Sequence, residues 1–235
     1  TARLSKTSTR STTTKYLSED DTMSYACLIL GESGTGKTCS LRNLDPKNTL
    51  LIQPVRKPLP FRSTGWKEIN ILVCSNPQAI INCMHASPFD VIVVDDWQYI
   101  LASMYMAARN VKGFDKFTEI GGAGFDIAKA ASELGENKRV YVLAHTTSDE
   151  FGNTRIKTLG KLLDDKIVVE GMFTTVLRTH VENGRYLFST QNSGSDTVKS
   201  PMGMFSEQYI ENDLAAIDRV ICDYYGITNE KENEE

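Results

Sequence analysis

Apolar positions along this chain alternate between short continuous blocks and helically spaced sets. Tyr25–Leu30 is one such block, followed by a glycine-rich turn, which predicts a buried strand and then a helix near Lys37–Asn43. Thr49–Gln53 predicts a second strand, before a proline-rich loop with Pro54, Pro58 and Pro60, and Ile69–Cys74 predicts a third. Asn76-Pro77 has the cap-then-proline order that opens a helix. Asp90–Val94 is β-branched and apolar, as a strand covered on both faces should be. Trp97, Ile100, Leu101, Met104 and Tyr105 then recur at helical spacing. Gly113–Leu134 predicts further helix with a break at Gly121-Gly122, and Arg139–Ala144 another buried strand. Phe173–His180 and Tyr186–Thr190 flank Glu182-Asn183-Gly184, a hairpin signal. Ile210, Leu214, Ile217 and Ile221 line one face of a last helix. This alternation predicts an α/β fold: a mostly parallel central sheet flanked by helices, with a C-terminal β-hairpin and final helix.

The ends are of different material. Half of residues 1–22 are Ser or Thr, and Arg3, Lys6, Arg10 and Lys15 precede any acid, which predicts a flexible arm. Residues 227–235 read as an acidic, solvated tail, leaving 23–226 as one core.

Composition narrows the class. In 235 residues, 40% are hydrophobic and 24% charged, enough apolar content for a packed core. No apolar run approaches the roughly 18 to 20 residues of a membrane helix, and no apolar signal region opens the chain. Five cysteines form no CxxC pair and no His/Cys set has zinc spacing, so reduced thiols in a cytoplasm are expected. The net charge of −4 excludes a protein coated in basic charge but leaves room for a local basic groove.

Gly31-Glu32-Ser33-Gly34-Thr35-Gly36-Lys37-Thr38 matches the phosphate-loop pattern G-x-x-x-x-G-K-[ST] in full, between a predicted strand and helix. Glycines let backbone N–H groups converge on an anion, and a following helix adds its positive end. Lys37 would place a charge on the β- and γ-phosphates of ATP, and the Thr38 hydroxyl would ligate Mg²⁺. The nucleotide-binding set is Gly31, Ser33, Gly34, Thr35, Gly36, Lys37, Thr38 and the adjoining Cys39.

The strand Asp90–Val94 ends in Asp95-Asp96. Asp95, directly after the strand, is the expected Mg²⁺-side carboxylate. Two roles stand for Asp96: orienting or deprotonating the attacking water, or capping the helix that begins near Trp97. His145, at the tip of Arg139–Ala144, is either a reporter of the γ-phosphate or a satisfied structural histidine.

With both nucleotide motifs in place, the chain resembles the RecA-like P-loop ATPases, and within them the phage-encoded ATPases of the single-strand-annealing recombinase group. The resemblance spans about Ser24–Tyr225. It rests on GESGTGKTCSLRNLDP (31–46), KPLPF (57–61), FDVIVVDDWQY (89–99), GFDKFTEIG (113–121), RIKTLGKLLDDKI (155–167) and DTVKSPMGMF (196–205). It implies a RecA-like P-loop NTPase fold and an ATPase coupled to single-stranded DNA binding in phage recombination, acting in the cytoplasm of an infected bacterium. It also implies two mobile DNA loops. The first would lie near Val111–Gly124 with Lys112, Lys116 and Phe117. The second would lie near Thr147–Leu163 with Arg155, Lys157 and Lys161. The same basic residues also read as a solvated loop or as a finger reaching a neighbour's ATP.

The resemblance further places Lys199 and Pro201 across a subunit interface, Lys199 on the γ-phosphate and Pro201 near the base, where the residues alone equally allow a simple connecting turn. A ring or filament of identical subunits follows, with phage or host single-strand-binding or replication proteins as partners and no membrane. One departure stands out. RecA carries a catalytic Glu at the tip of an early strand, and the comparable tip here reads Gln53-Pro54-Val55-Arg56. The rival readings are a nucleotide-gated replisome adaptor or loader without DNA-stimulated turnover, and a small-molecule P-loop kinase.

Overall fold

A computed structural model of the chain describes residues 23–159 and 167–227. Its strands are β1 (Tyr25–Gly31), β2 (Thr49–Gln53), β3 (Ile71–Val73), β4 (Val91–Val94), β5 (Arg139–Ser148), β6 (Thr154–Ile156), β7 (Thr175–Glu182), β8 (Arg185–Ser189) and β9 (Tyr209–Glu211). They order as β3-β2-β4-β5-β1-β7-β8-β9. The pairings from β3 through β7 are parallel, and β8 and β9 add antiparallel. The extended end of β5 turns back on itself to pair with β6. The helices are α1 (Pro77–Ala86), α2 (Gln98–Ala107), α3 (Asp115–Ala130) and α4 (Leu214–Tyr225).

Both faces of the sheet are covered, which is why β1, β2 and β4 are buried at every position. On one face Leu28, Leu30, Ile52, Val94 and Val142 pack beneath α1, α2 and α3, meeting Ile80, Trp97, Ile100 and Ile127. On the other, Cys27, Ile29, Val93 and Leu143 meet Leu41 and, from α4, Leu214, Ile217 and Ile221. Alternate residues of each strand serve opposite layers, as a period of two requires.

Local chemistry sets the ends. The Asn76 side chain accepts from Ala79 N at 2.9 Å ahead of Pro77. Asp213 caps α4 through Ala215 N, and Gly226 closes it with φ 66°. Asn183 and Gly184 turn the β7–β8 hairpin, both with positive φ. A buried clamp joins β5 to α4: Arg139 Nε and Nη2 each donate to Asp218 at 3.0 Å, and Tyr141 donates its hydroxyl to the same carboxylate at 2.5 Å.

Several expectations are corrected. α3 runs through Gly121-Gly122 without a break, because its apolar face, with Ile120, Gly121, Gly124, Ile127 and Ala128 buried, is held by packing on both sides of the pair. That helix also takes up Asp115–Gly124, which the resemblance assigned to a mobile loop. The helix after the glycine-rich turn is a six-residue 3-10 segment, Thr38–Asn43. Ser40 Oγ takes the Lys37 carbonyl at 2.6 Å, and Asp45-Pro46 ends the segment early. The third strand is only Ile71–Val73, and Ile69 is exposed. Ile210 belongs to β9, not to the last helix. The stretch after Thr147 carries a β5–β6 hairpin. Residues 1–22, 160–166 and 228–235 lie outside the described residues, and with them the arm, Lys161 and nearly all of the acidic tail. Among the described residues, no helix is long and apolar enough to cross a membrane.

Candidate functional site

Parallel pairing puts the carboxyl ends of β1, β4 and β5 side by side. Gly31 is level with His145, and Val94 with Val142, so the glycine-rich turn, the twin aspartates and His145 emerge at one edge of the sheet. A cavity of about 550 Å³ opens there, lined by Ser33, Gly34, Gly36, Lys37, Thr38 and Cys39 from the turn, with Asp96 and His145 opposite.

The turn needs its glycines for two reasons. Gly34 and Gly36 have φ of 79° and 99°. Gly31 has no room for a side chain: a Cβ there would collide with Thr179 Oγ1 and stand 2.8 Å from Thr35 Oγ1. Thr35 in turn shares a hydrogen bond with Thr179 at 2.6 Å, pinning the turn to β7. Lys37 folds back over the turn and donates to the carbonyls of Gly31 and Glu32, both at 2.8 Å. Burial pulls its ammonium down to about 8, against the opposing pull of Asp96 and Asp95.

Thr38 and Asp95 meet directly, the hydroxyl lying 3.1 Å from both carboxylate oxygens. Asp95 is fully buried, and that burial, with the neighbouring Asp96 charge, pushes its acid up to about 6. A buried carboxylate whose one hydrogen-bond partner among the described residues is a hydroxyl could hold a divalent cation together with that hydroxyl. Among the described residues no group of three or more His, Cys, Asp or Glu side chains could hold a metal.

Asp96 has φ 58°, uncommon for a residue with a side chain, and is 4% exposed. Its carboxylate caps no helix. α2 starts after Trp97 with no side-chain cap, and only the Asp96 carbonyl is used, accepting from Tyr99 N at 2.9 Å. The carboxylate faces the cavity, ion-paired to Lys57 and 3.2 Å from His145 Nε2. Desolvation, then the Lys37 charge, lowers the His145 pKa, so the imidazole is neutral at pH 7 and donates to Asp96. Gln98 Oε1 accepts from His145 N at 3.2 Å, and the Tyr99 ring stands edge-on at 6.3 Å.

The remaining predicted residues scatter. Lys199 and Pro201 do not line this cavity; Lys199 forms an isolated antiparallel bridge with Val176 on β7. Lys157 N donates to the His145 carbonyl at 2.7 Å, tying the segment after β6 to the site, while Arg155 is exposed on β6. Lys112 is exposed ahead of α3. Lys116 and Phe117 lie in the first turns of α3, the Lys116 ammonium 5.6 Å from the Tyr105 ring and 5.5 Å from the Phe117 ring. Phe114 beside them is 85% exposed.

Sequence reasoning missed Lys57, Arg42 and Tyr186. Lys57 lies in the proline-rich loop and reaches Asp96 from 39 residues away. Arg42 pairs with Glu211 at 3.5 Å on the cavity wall, and the Tyr186 ring lies against Gly36. The KPLPF stretch was the one available signal for Lys57, and nothing in it named a partner.

No protein-family model matches the chain, and no curated protein matches it.

Proposed function

We propose that the chain is a RecA-like P-loop ATPase that binds single-stranded DNA, of the phage annealing-recombinase type, and that its nucleotide state governs the order of its DNA-contacting segments. One observation carries this reading: a complete phosphate-loop sequence whose Thr38 contacts Asp95, just past the end of β4 and across β5 from β1, with Asp96 and His145 facing the same cavity.

ATP phosphates would lie along the 31–38 turn, where its backbone N–H groups and Lys37 meet them. Lys37 would exchange the Gly31 and Glu32 carbonyls for phosphate oxygens. The Thr38–Asp95 pair would hold Mg²⁺, which supplies charge neutralisation at the β- and γ-oxygens when bound. Asp96, steadied by neutral His145, would orient the attacking water and take up its proton. The water oxygen bonds to the γ-phosphorus as the bond to the bridging oxygen breaks, giving ADP and inorganic phosphate. The six-residue 3-10 segment is too short for a helix macrodipole to add much, so the loop amides and lysine carry the anion.

Two contacts support coupling to DNA. The Lys157–His145 backbone bond links the basic segment after β6 to the nucleotide side. The exposed Phe114, with Phe117, Tyr105 and Lys116, offers aromatic faces and a cation, the chemistry of single-strand binding. The deciding experiment measures ATPase rate and particle mass with and without single-stranded DNA. Stimulated turnover with a DNA-dependent mass supports the reading; absence of both removes the DNA half of it.

One observation favours the adaptor reading. The β2 tip carries Gln53, whose Nε2 has no hydrogen-bond partner among the described residues, where a recombinase would carry an acid. ATP binding without DNA-stimulated turnover is the outcome that selects it.

A further inference from the structure

We propose that Lys57 is a second cation for the terminal phosphate, supplied by the same chain and parked on Asp96 until a triphosphate enters. This rests on the triphosphate reading of the cavity and adds a residue to it.

Three features converge. Lys57 lies in the loop after β2 and lines the nucleotide cavity together with Lys37, Ser33, Gly34 and Thr38. Its ammonium is ion-paired to Asp96, while its side chain stays 41% exposed, so the stem is free to swing. Asp96 is buried, with a left-handed backbone that aims its carboxylate into the cavity toward both Lys57 and His145. The backbone strain is more than a surface ion pair requires, and it sets one carboxylate between two donors at the place where hydrolysis needs a base.

The consequence is a built-in exchange. With Lys57 on Asp96, the carboxylate is neutralised and unavailable to water. A γ-phosphate is a stronger, doubly charged acceptor within the same cavity, and a lysine ammonium transfers to it as a point charge. That single movement adds positive charge where negative charge accumulates in phosphoryl transfer, and it frees Asp96. A diphosphate lacks the γ-phosphate that would draw the ammonium away and leaves Lys57 parked. The nucleotide that can be hydrolysed is therefore the one that unlocks the base.

The test compares ADP with the β,γ-imido analogue of ATP, both with Mg²⁺, by equilibrium binding, alongside steady-state turnover. Lys57→Ala should leave ADP affinity within about twofold, weaken the analogue about tenfold, and lower kcat on the order of 100-fold. Lys57→Arg should recover most of the analogue preference. Asp96→Asn should bind the analogue more tightly than the unsubstituted protein, and that gain should vanish when Lys57→Ala is added. The proposal is overturned if Lys57→Ala changes both affinities alike or neither. It is also overturned if the Asp96→Asn gain persists without Lys57, because the gain is then plain loss of repulsion. If the unsubstituted protein binds neither nucleotide, the triphosphate reading itself fails, and this exchange with it. If it binds both but does not turn over ATP, the affinity comparison still decides the role of Lys57. Thermal melts of each variant confirm folding.

Discussion

Thr38 and Asp95, 57 residues apart in sequence, meet with the hydroxyl 3.1 Å from both carboxylate oxygens. Asp95 is the most fully buried acid of the site, held there by one neutral donor and two lysine charges. Burying a carboxylate with so few partners costs stability.

A pH dependence follows. Burial raises the Asp95 acid from 3.8 to about 6, so the folded state holds this proton more tightly than the unfolded chain. The contribution to stability is complete below 3.8 and is lost as the pH rises through about 6. Asp95→Asn should therefore raise the stability of the nucleotide-free protein at pH 7.5 by on the order of 2 kcal/mol, and by much less at pH 4.5. Thermal melts at both pH values check this. A less stable variant at pH 7.5 would show that desolvation does not dominate.

Gly31→Ala should cripple the phosphate loop. The new methyl meets Thr179 Oγ1 and Thr35 Oγ1, so β7 or the turn must move. A loss of about 1–3 kcal/mol is expected from overpacking, with nucleotide binding lost alongside. Adding Thr179→Ala removes the worst contact and should recover part of the stability. A double-mutant cycle showing simple additivity would refute the steric account.

Lys37→Ala should abolish nucleotide binding and leave the Gly31 and Glu32 carbonyls without their donor. In the unsubstituted protein the ammonium is pulled down to about 8 by burial, so affinity should fall from pH 7 to pH 9.5 as the free protein loses this proton. Titration of a fluorescent nucleotide across that range gives the answer; unchanged affinity for Lys37→Ala removes the phosphate-loop assignment.

Asp218→Ala should destabilise the fold by about 3–5 kcal/mol, because it removes the buried carboxylate to which Arg139 Nε and Nη2 and the Tyr141 hydroxyl all donate. Asp218→Asn keeps two acceptor lone pairs and should cost less. Urea unfolding at constant m-value measures both.

Lys116→Ala should weaken oligonucleotide binding and reduce its salt slope by about 1, while Phe117→Ala should weaken binding with the slope intact. Unequal effects of this kind separate phosphate contact from base stacking. Loss of neither would leave the Phe114–Phe117–Tyr105 cluster without a nucleic-acid role.

How much was legible depended on the range of the forces involved. The blocks Tyr25–Leu30, Thr49–Gln53 and Arg139–Ala144 were readable because burial on both faces favours unbroken apolar runs, here Tyr25–Leu30, Leu50–Ile52 and Val140–Ala144, with polar residues only at the strand ends. The hairpin at Asn183-Gly184 was readable because only a few residue types take positive φ cheaply. Gly121-Gly122 misled, because a glycine pair weakens a helix locally by only about 1 kcal/mol per residue, and the packing of Ile120, Ile127 and Ala128 outweighs it.

The amino-acid sequence by itself determined the G-x-x-x-x-G-K-[ST] pattern at 31–38, the strand and glycine positions around it, and the acids beyond Val94, since each depends on neighbours a few bonds away. Only the tertiary structure decided that Asp96 faces Lys57 and His145 rather than capping α2, and that Lys57, from the proline-rich loop, is the cation that meets it. Those choices belong to parallel strand order, which brings β1, β4 and β5 edge to edge from distant parts of the chain, and no local pattern of residues encodes which strand ends will meet.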